Sequence, residues 1–347
     1  MTETRNIPSG ARASQAHLAA PAHTATTAEE QNAVERPARF PFPFAPSGWY
    51  QLAQQPDIMT GSVTPMHYLG RDLVLWRTEL GEIRAAEAFC PHLGAHLGYG
   101  GTIEGELLTC PFHGWRFDTS GVNVQIPYSD RTNLKAHLTC IPVAVANGVV
   151  FAWHGSRGEP PGWEVPVLDE SLDRSFVRVA GERVLIRSHV QELLENVVDV
   201  AHFQFVHHTA GFGSVELVEQ GPMLRSTAGV VFVTPKGNVD GSVVSELWGL
   251  GIDIVRPKGI LHAAVIFAVT PVKDGLVEAG YTFFVPKKHG TNEPTNLGRA
   301  MMADFSKQLE QDIPIWEHKA YKPSPALARG DGPIVAFRRW AYQFYGD

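Results

Sequence analysis

Cysteine is scarce in this chain: Cys90, Cys110 and Cys140 are the only three in 347 residues. An odd, sparse count is no disulfide framework, so the expected setting is a reducing cytoplasm, where paired cysteines are better explained by metal. Long apolar runs are absent. No stretch reaches the ~18 residues a membrane-spanning helix needs, and the Ala-, Thr- and Ser-rich N-terminus lacks the apolar centre of a secretory signal. Basic runs are absent too, and the formal net charge is −7. That removes the electrostatic footing for nucleic acid or for an anionic membrane surface. No G-x-G-x-x-G unit for a nicotinamide or flavin occurs, and no internal repeat is visible.

The remainder is ordinary for a globular chain with a core: 44% hydrophobic and 19% charged residues, in a length that suits two domains. Residues 1–40 bury too little to order and read as a disordered tail. Residues 47–158 are short strand-like runs cut by Gly and Pro, the texture of a small all-β domain. Gly158-Glu-Pro-Pro-Gly162 reads as a linker. Residues 163–347 bring a strand-like segment (Phe176 to Ile186), a helix-like one (Ser188 to His202), longer β runs and a helix from about Asn296 to His318. This order suggests an α+β domain whose antiparallel sheet curves around an apolar space, a helix-grip or START-like form.

Chemistry concentrates in two places. The first is Cys90-Pro-His92, then Cys110-Pro-Phe-His113. Two Cys and two His can hold zinc tetrahedrally, but zinc pairs usually keep two to four residues between ligands, and C-x-H is tighter. The alternative is a [2Fe–2S] cluster in which each motif gives one thiolate to one iron and one imidazole to the other. Imidazole donates less charge than thiolate, raising the potential to roughly −150 to +300 mV, against about −400 mV for plant-type ferredoxins. Gly94 and Gly114 would allow close backbone approach. His96 reads as a loop residue packed beside this site, and Cys140 as a buried small hydrophobe.

The second is Glu195-Asn-Val-Val-Asp199-Val-Ala-His202-Phe-Gln-Phe-Val-His207. On a helix, Val190, Leu193, Leu194, Val197, Val198 and Ala201 form an apolar face, with Glu195, Asp199 and His202 on another. His207 falls five residues after His202, so a break or π-type turn is expected between them. Taken alone, two histidines near an acid do not decide for metal. In the C-terminal helix, Asp312 projects with Phe305, Leu309 and Trp316, and a carboxylate on an apolar stripe is costly unless paired or metal-bound. Asp304, Glu310 and Glu317 project to solvent. Pro314 makes the projection less secure than the residue's identity.

The run Cys90-Pro-His-Leu-Gly-Ala-His-Leu-Gly98 with Cys110-Pro-Phe-His-Gly-Trp-Arg-Phe117 resembles Rieske domains almost residue for residue. The later segment resembles the E-x₃-D-x₂-H-x₄-H motif of Rieske non-haem iron oxygenases. Among these, Glu195 to His202 and Gln311 to Lys319 look like the metal segments of 3-ketosteroid 9α-hydroxylase oxygenases and cholesterol 7-desaturases.

The resemblance implies a [2Fe–2S] cluster on Cys90, His92, Cys110 and His113, and a mononuclear Fe(II) on His202, His207 and Asp312, with O₂ as co-substrate. It implies that Asp199 hydrogen-bonds His202 and His113 of the partner subunit, within a head-to-tail homotrimer. It also implies electrons from NAD(P)H through a separate ferredoxin or flavin/iron–sulfur reductase. The expected reaction is hydroxylation of a hydrophobic, steroid-like polycycle, with desaturation or oxidative cyclisation as the alternative. Apolar runs such as Ala263 to Val269 and Gly280 to Val285 either line the pocket for that substrate or only pack the sheet. An electron carrier or ligand-binding protein would need neither histidine nor Asp312.

Overall fold

Turn chemistry and alternation set the first half. Its strands are Gly48–Gln54 (β1), Val63–Tyr68 (β2), Arg71–Arg77 (β3), Ile83–Glu87 (β4), Thr102–Glu104 (β5), Leu107–Thr109 (β6), Arg116–Phe117 (β7), Asn123–Gln125 (β8), Cys140–Ile141 (β9), Val143–Ala146 (β10) and Val149–His154 (β11). They form a β1-β11-β10 sheet and two four-stranded sheets, β2-β3-β4-β9 and β5-β6-β7-β8. The fold is that of a computed structural model, which describes residues 39–209, 212–234 and 237–346. The expected disordered tail therefore lies outside the described residues up to residue 38. Its last two positions are packed: Arg39 donates to the carbonyls of Lys319 (2.9 Å) and Trp316 (2.6 Å), and Phe40 is buried.

After the short helix Asp169–Leu172 (α1) and strand Phe176–Ile186 (β12) come helices Val190–Glu195 (α2) and Ala201–Phe205 (α3). Strands Phe212–Gln220 (β13), Met223–Thr234 (β14), Gly237–Trp248 (β15), Ile252–Lys258 (β16), Ala264–Lys273 (β17) and Leu276–Pro286 (β18) follow, then helices Asn296–His318 (α4) and Ile334–Ala341 (α5). β12 to β18 make one seven-stranded sheet, order β12-β18-β17-β16-β15-β14-β13, antiparallel throughout. Ile252, Ile254, Ile266 and Phe284 pack against Trp49, Phe151 and Trp153 of the first half. From the other face, Val255, Val265, Phe283 and Val285 meet Met301, Met302 and Phe305 of α4. Period-two alternation thus feeds two apolar layers rather than one layer and water. No described helix is long and apolar enough to cross a membrane.

Two expectations need correction. The continuous helix from Ser188 to His202 is broken: α2 stops at Glu195 and α3 starts at Ala201. Between them Val197 and Val198 N–H donate to Leu194 and Glu195 carbonyls three residues back, a tightened turn. Val198 stays fully buried through the turn, so the apolar spacing continues where the helix does not. Cys140, expected buried, is exposed because β9 is the edge strand of its sheet. α4, in contrast, runs through Pro314 to His318.

Candidate metal centres

Two loops of one design carry the cysteines. In the first, Cys90 N–H donates to Ala95 O (2.8 Å) and Gly94 N–H to Cys90 O (2.9 Å). In the second, Cys110 N–H donates to Trp115 O (2.8 Å) and Gly114 N–H to Cys110 O (3.0 Å). Gly94 (φ 74°) and Gly114 (φ 68°) hold the left-handed corner, which a side chain would strain. Backbone N–H groups of His92 and Leu93 face the Cys90 sulfur, and those of Phe112 and His113 the Cys110 sulfur. The two thiols also hydrogen-bond each other, which holds Cys110 below and Cys90 above the ordinary thiol range.

The His92 ring stacks on Trp115 (4.3 Å, 8° between planes) and meets His113 edge-on at 4.6 Å. Its Nδ1 is buried without a hydrogen-bond partner, a state that costs about 1–3 kcal/mol unless a ligand meets the nitrogen. A bare imidazole nitrogen beside sulfurs that accept N–H bonds fits an iron–sulfur group. Around the loops, Leu93, Phe112 and Tyr128 are exposed. His96 packs edge-on against Phe89, and its Nδ1 accepts from Gly98 N–H.

The break between α2 and α3 aims the second group. The Asp199 carbonyl accepts the His202 Nδ1–H, which leaves Nε2 unprotonated. α3 ends at Phe205, and the chain turns out through His208 in the left-handed region (φ 56°). His207 Nδ1–H donates to Gln311 Oε1 at 3.1 Å on α4, again leaving Nε2, which lies 3.4 Å from Asp312 Oδ2. Donor atoms of His202, His207 and Asp312 all lie within 4.8 Å of one another. Both tautomers are set by acceptors at Nδ1, the arrangement that readies Nε2 for a metal. Burial lowers the His202 imidazole's pKa, the Asp312 carboxylate opposing; at His207 burial also lowers it, but the Asp312 hydrogen bond prevails and the net shift is upward.

Asp199 departs from its expected geometry. Its carbonyl, not its carboxylate, holds His202; the carboxylate faces the His202 backbone N–H, and burial raises its pKa. Glu195 is a strut: Arg338 of α5 grips it with two bonds, 2.6 and 2.8 Å. Asn196, a motif residue to which the resemblance assigns no role, sits between the candidate ligands. Its Nδ2 lies 3.4 Å from His202 Nε2 and donates to Asp312 Oδ2 (3.2 Å), while Trp316 Nε1 donates to its Oδ1. Of the expected solvated acids, Asp304 and Glu310 are exposed, though Asp304 also borders the cavity below, and Glu317 bonds Arg187.

These groups open onto a cavity of about 460 Å³ with largely apolar walls, within the range of small-molecule sites. Of the two apolar runs singled out in the sequence, Phe267 and Tyr281 line it; Val265, Phe283 and Val285 pack the core. The largest share of the wall comes instead from β14, β15 and β16, including Ala228, Val230, Phe232, Val243 and Val255, with α4 facing them.

Residues 152–345 match the family described as 3-ketosteroid 9alpha-hydroxylase C-terminal domain, and residues 48–142 match the Rieske [2Fe-2S] domain. A cholesterol 7-desaturase of Xenopus laevis is 29% identical over 334 residues, 88% of this chain and 73% of that protein. A probable 3-ketosteroid-9-alpha-monooxygenase oxygenase component of Rhodococcus rhodochrous is 28% identical, covering 86% and 80%. Among solved structures, dicamba monooxygenase bound to 3,6-dichlorosalicylic acid superposes with a TM-score of 0.70 at 19% identity, covering 86% and 96%. Pseudomonas putida NdmB gives 0.68 at 19%, covering 84% and 89%. At such identities the likeness is one of fold.

Proposed function

Because the chain belongs to the 3-ketosteroid 9α-hydroxylase branch of the Rieske non-haem iron oxygenases, we propose that it is the terminal oxygenase that hydroxylates a steroid-like polycycle. The carrying observation is the convergence of His202, His207 and Asp312 on the wall of an apolar cavity. In this reading residues 47–158 bear the cluster on Cys90, His92, Cys110 and His113, and residues 163–347 hold iron on His202, His207 and Asp312. When bound, the cluster supplies single electrons and the iron activates O₂.

The chain's own residues do the rest. Gln311 and the Asp199 carbonyl fix the two imidazoles. Asp312 contributes the anionic donor, with Asn196 holding its second contact. Phe267, Tyr281 and the β14–β16 wall exclude water and fix the substrate's orientation. Electrons reach the cluster from NAD(P)H through a separate ferredoxin or flavin/iron–sulfur reductase. The exposed Leu93, Phe112 and Tyr128 beside the cluster loops support docking against another subunit. In a head-to-tail homotrimer Asp199 would lie on the electron path between centres. A sparse, odd count of three cysteines suits a reducing cytoplasm.

The test is anaerobic purification with iron and acid-labile sulfide counted per chain. About three irons and two sulfides are expected from one cluster plus one ion, and His207→Ala should lose one iron with sulfide unchanged. Equal iron in both proteins after reconstitution would refute the second centre. Similarity to a cholesterol 7-desaturase over 88% of the chain favours desaturation as the second reading. Product analysis separates the two: hydroxylation adds oxygen to the steroid, whereas desaturation removes two hydrogens.

A further inference from the structure

One side chain in the cavity wall is out of place for an apolar site. Asp253 on β16 is 3% exposed and faces the cavity alongside Val255 and Pro257. Its cross-strand neighbours are Leu247 and Phe267. Ser245 hydrogen-bonds the carboxyl, yet Oδ1 has no partner. Among the described residues no cation balances it; the charged neighbour is Glu246, which repels. A buried carboxyl without a counter-ion is costly, and nothing in the sheet's hydrogen bonding needs it. Tyr281, across the same wall, feels the charge of both Asp253 and Asp312, so the acid and the second metal centre border one chamber.

We propose that Asp253 is the specificity residue of this cavity, its carboxylic acid donating a hydrogen bond from Oδ1 to a carbonyl oxygen of the substrate, away from the carbon to be oxidised. The inference rests on the cavity being the substrate site. It deepens that reading by naming the side chain that selects a ketone over the parent hydrocarbon. Burial pushes the carboxyl up to about 7, against the Ser245 bond. A proton is therefore at hand near neutrality, and an apolar ligand closing over the acid favours the neutral form further. Val255, Phe267 and Tyr281 supply the apolar grip. A single polar contact in such a grip sets orientation, and with it which carbon is presented.

The experiment is calorimetric binding to the anaerobic, iron-loaded protein without reductase, so that no turnover occurs. The probes are a 3-ketosteroid and the same steroid lacking that ketone, and fluorenone with fluorene as a non-steroidal pair. Wild type should prefer each ketone by on the order of tenfold. Asp253→Leu should abolish that preference, and Asp253→Asn, which keeps an N–H donor, should retain it to within about threefold.

A preference that survives in Asp253→Leu overturns the proposal, as does an Asp253→Asn protein that behaves like the leucine variant. Should the leucine variant fail to fold, absence of any ketone preference in the wild type overturns it equally. Binding of the fluorenone pair with the expected preference but of neither steroid would support the anchor while refuting the steroid substrate. Binding of none of the four probes to wild type would refute both.

Discussion

The acid that opens the second motif should prove to be part of the frame, not of the metal site. Glu195 and Arg338 are joined by two charge-assisted bonds, and their side chains are only 7% and 15% exposed. Truncating one member of such a pair strands the other in low dielectric, at about 3–5 kcal/mol. Glu195→Gln should fall at the low end. Glutamine keeps one acceptor, and Arg338 keeps the Lys322 carbonyl (2.7 Å) and the Tyr321 ring (4.4 Å). About 3 kcal/mol at roughly 2 °C per kcal/mol for a chain this large gives a melting point lower by about 6 °C. Melting followed by circular dichroism, with iron and sulfide counted on the same samples, should show that drop with metal content unchanged. Glu195→Leu/Arg338→Met, which removes both charges together, should recover most of the loss. A Glu195→Gln protein that melts like wild type but lacks the mononuclear iron would refute the reasoning and place Glu195 in the metal site.

Gln311→Leu removes the acceptor that fixes the His207 tautomer; chelator competition should show iron held about 10–100-fold more weakly, with the cluster's visible spectrum intact. Gly114→Ala puts a Cβ at φ 68° and 3.0 Å from Pro127, so acid-labile sulfide should be lost faster on warming than in wild type, and unchanged kinetics would refute the strain. Asp253 has a folded pKa of about 7 against 3.8 for the free side chain. The unfolded chain releases its proton first as pH rises, so stability falls through that window and levels off above it. Relative to Asp253→Asn, which does not titrate, wild type should lose about 3 kcal/mol between pH 5 and 8, read as a widening gap in melting temperature; a constant gap would refute the raised pKa.

The grouping of the candidate ligands was legible in the sequence where the chemistry is local. Cys90 with His92, and Cys110 with His113, sit on single tight loops, so spacing alone brings each pair together. Asp312 was legible for a different reason: a carboxylate among Leu309 and Trp316 on one helix stripe has few physical excuses. The turn at Asn196–Val200 was not legible. Hydrophobic spacing reports burial, and Val197 and Val198 go on packing through residues whose hydrogen bonds have already left the helix. Asn196 was missed for the same reason, since its place beside His202 and Asp312 exists only because the chain turns there.

That turn also explains how a short, broken segment aims the candidate metal site. A straight helix would spend the Asp199 carbonyl on an amide four residues on. Released by the break, that carbonyl takes the His202 ring N–H instead, while α4 supplies both the partner of His207 and the third donor. Asp253 was hidden by an equivalent ambiguity in the sheet. Ile252-Asp253-Ile254 alternates as a half-exposed strand would, with the acid on the wet side. In the fold Ile252 and Ile254 pack beneath the first half and the opposite face closes a cavity. The same alternation therefore marks a buried acid rather than a solvated one, and only the second covering layer separates the two meanings.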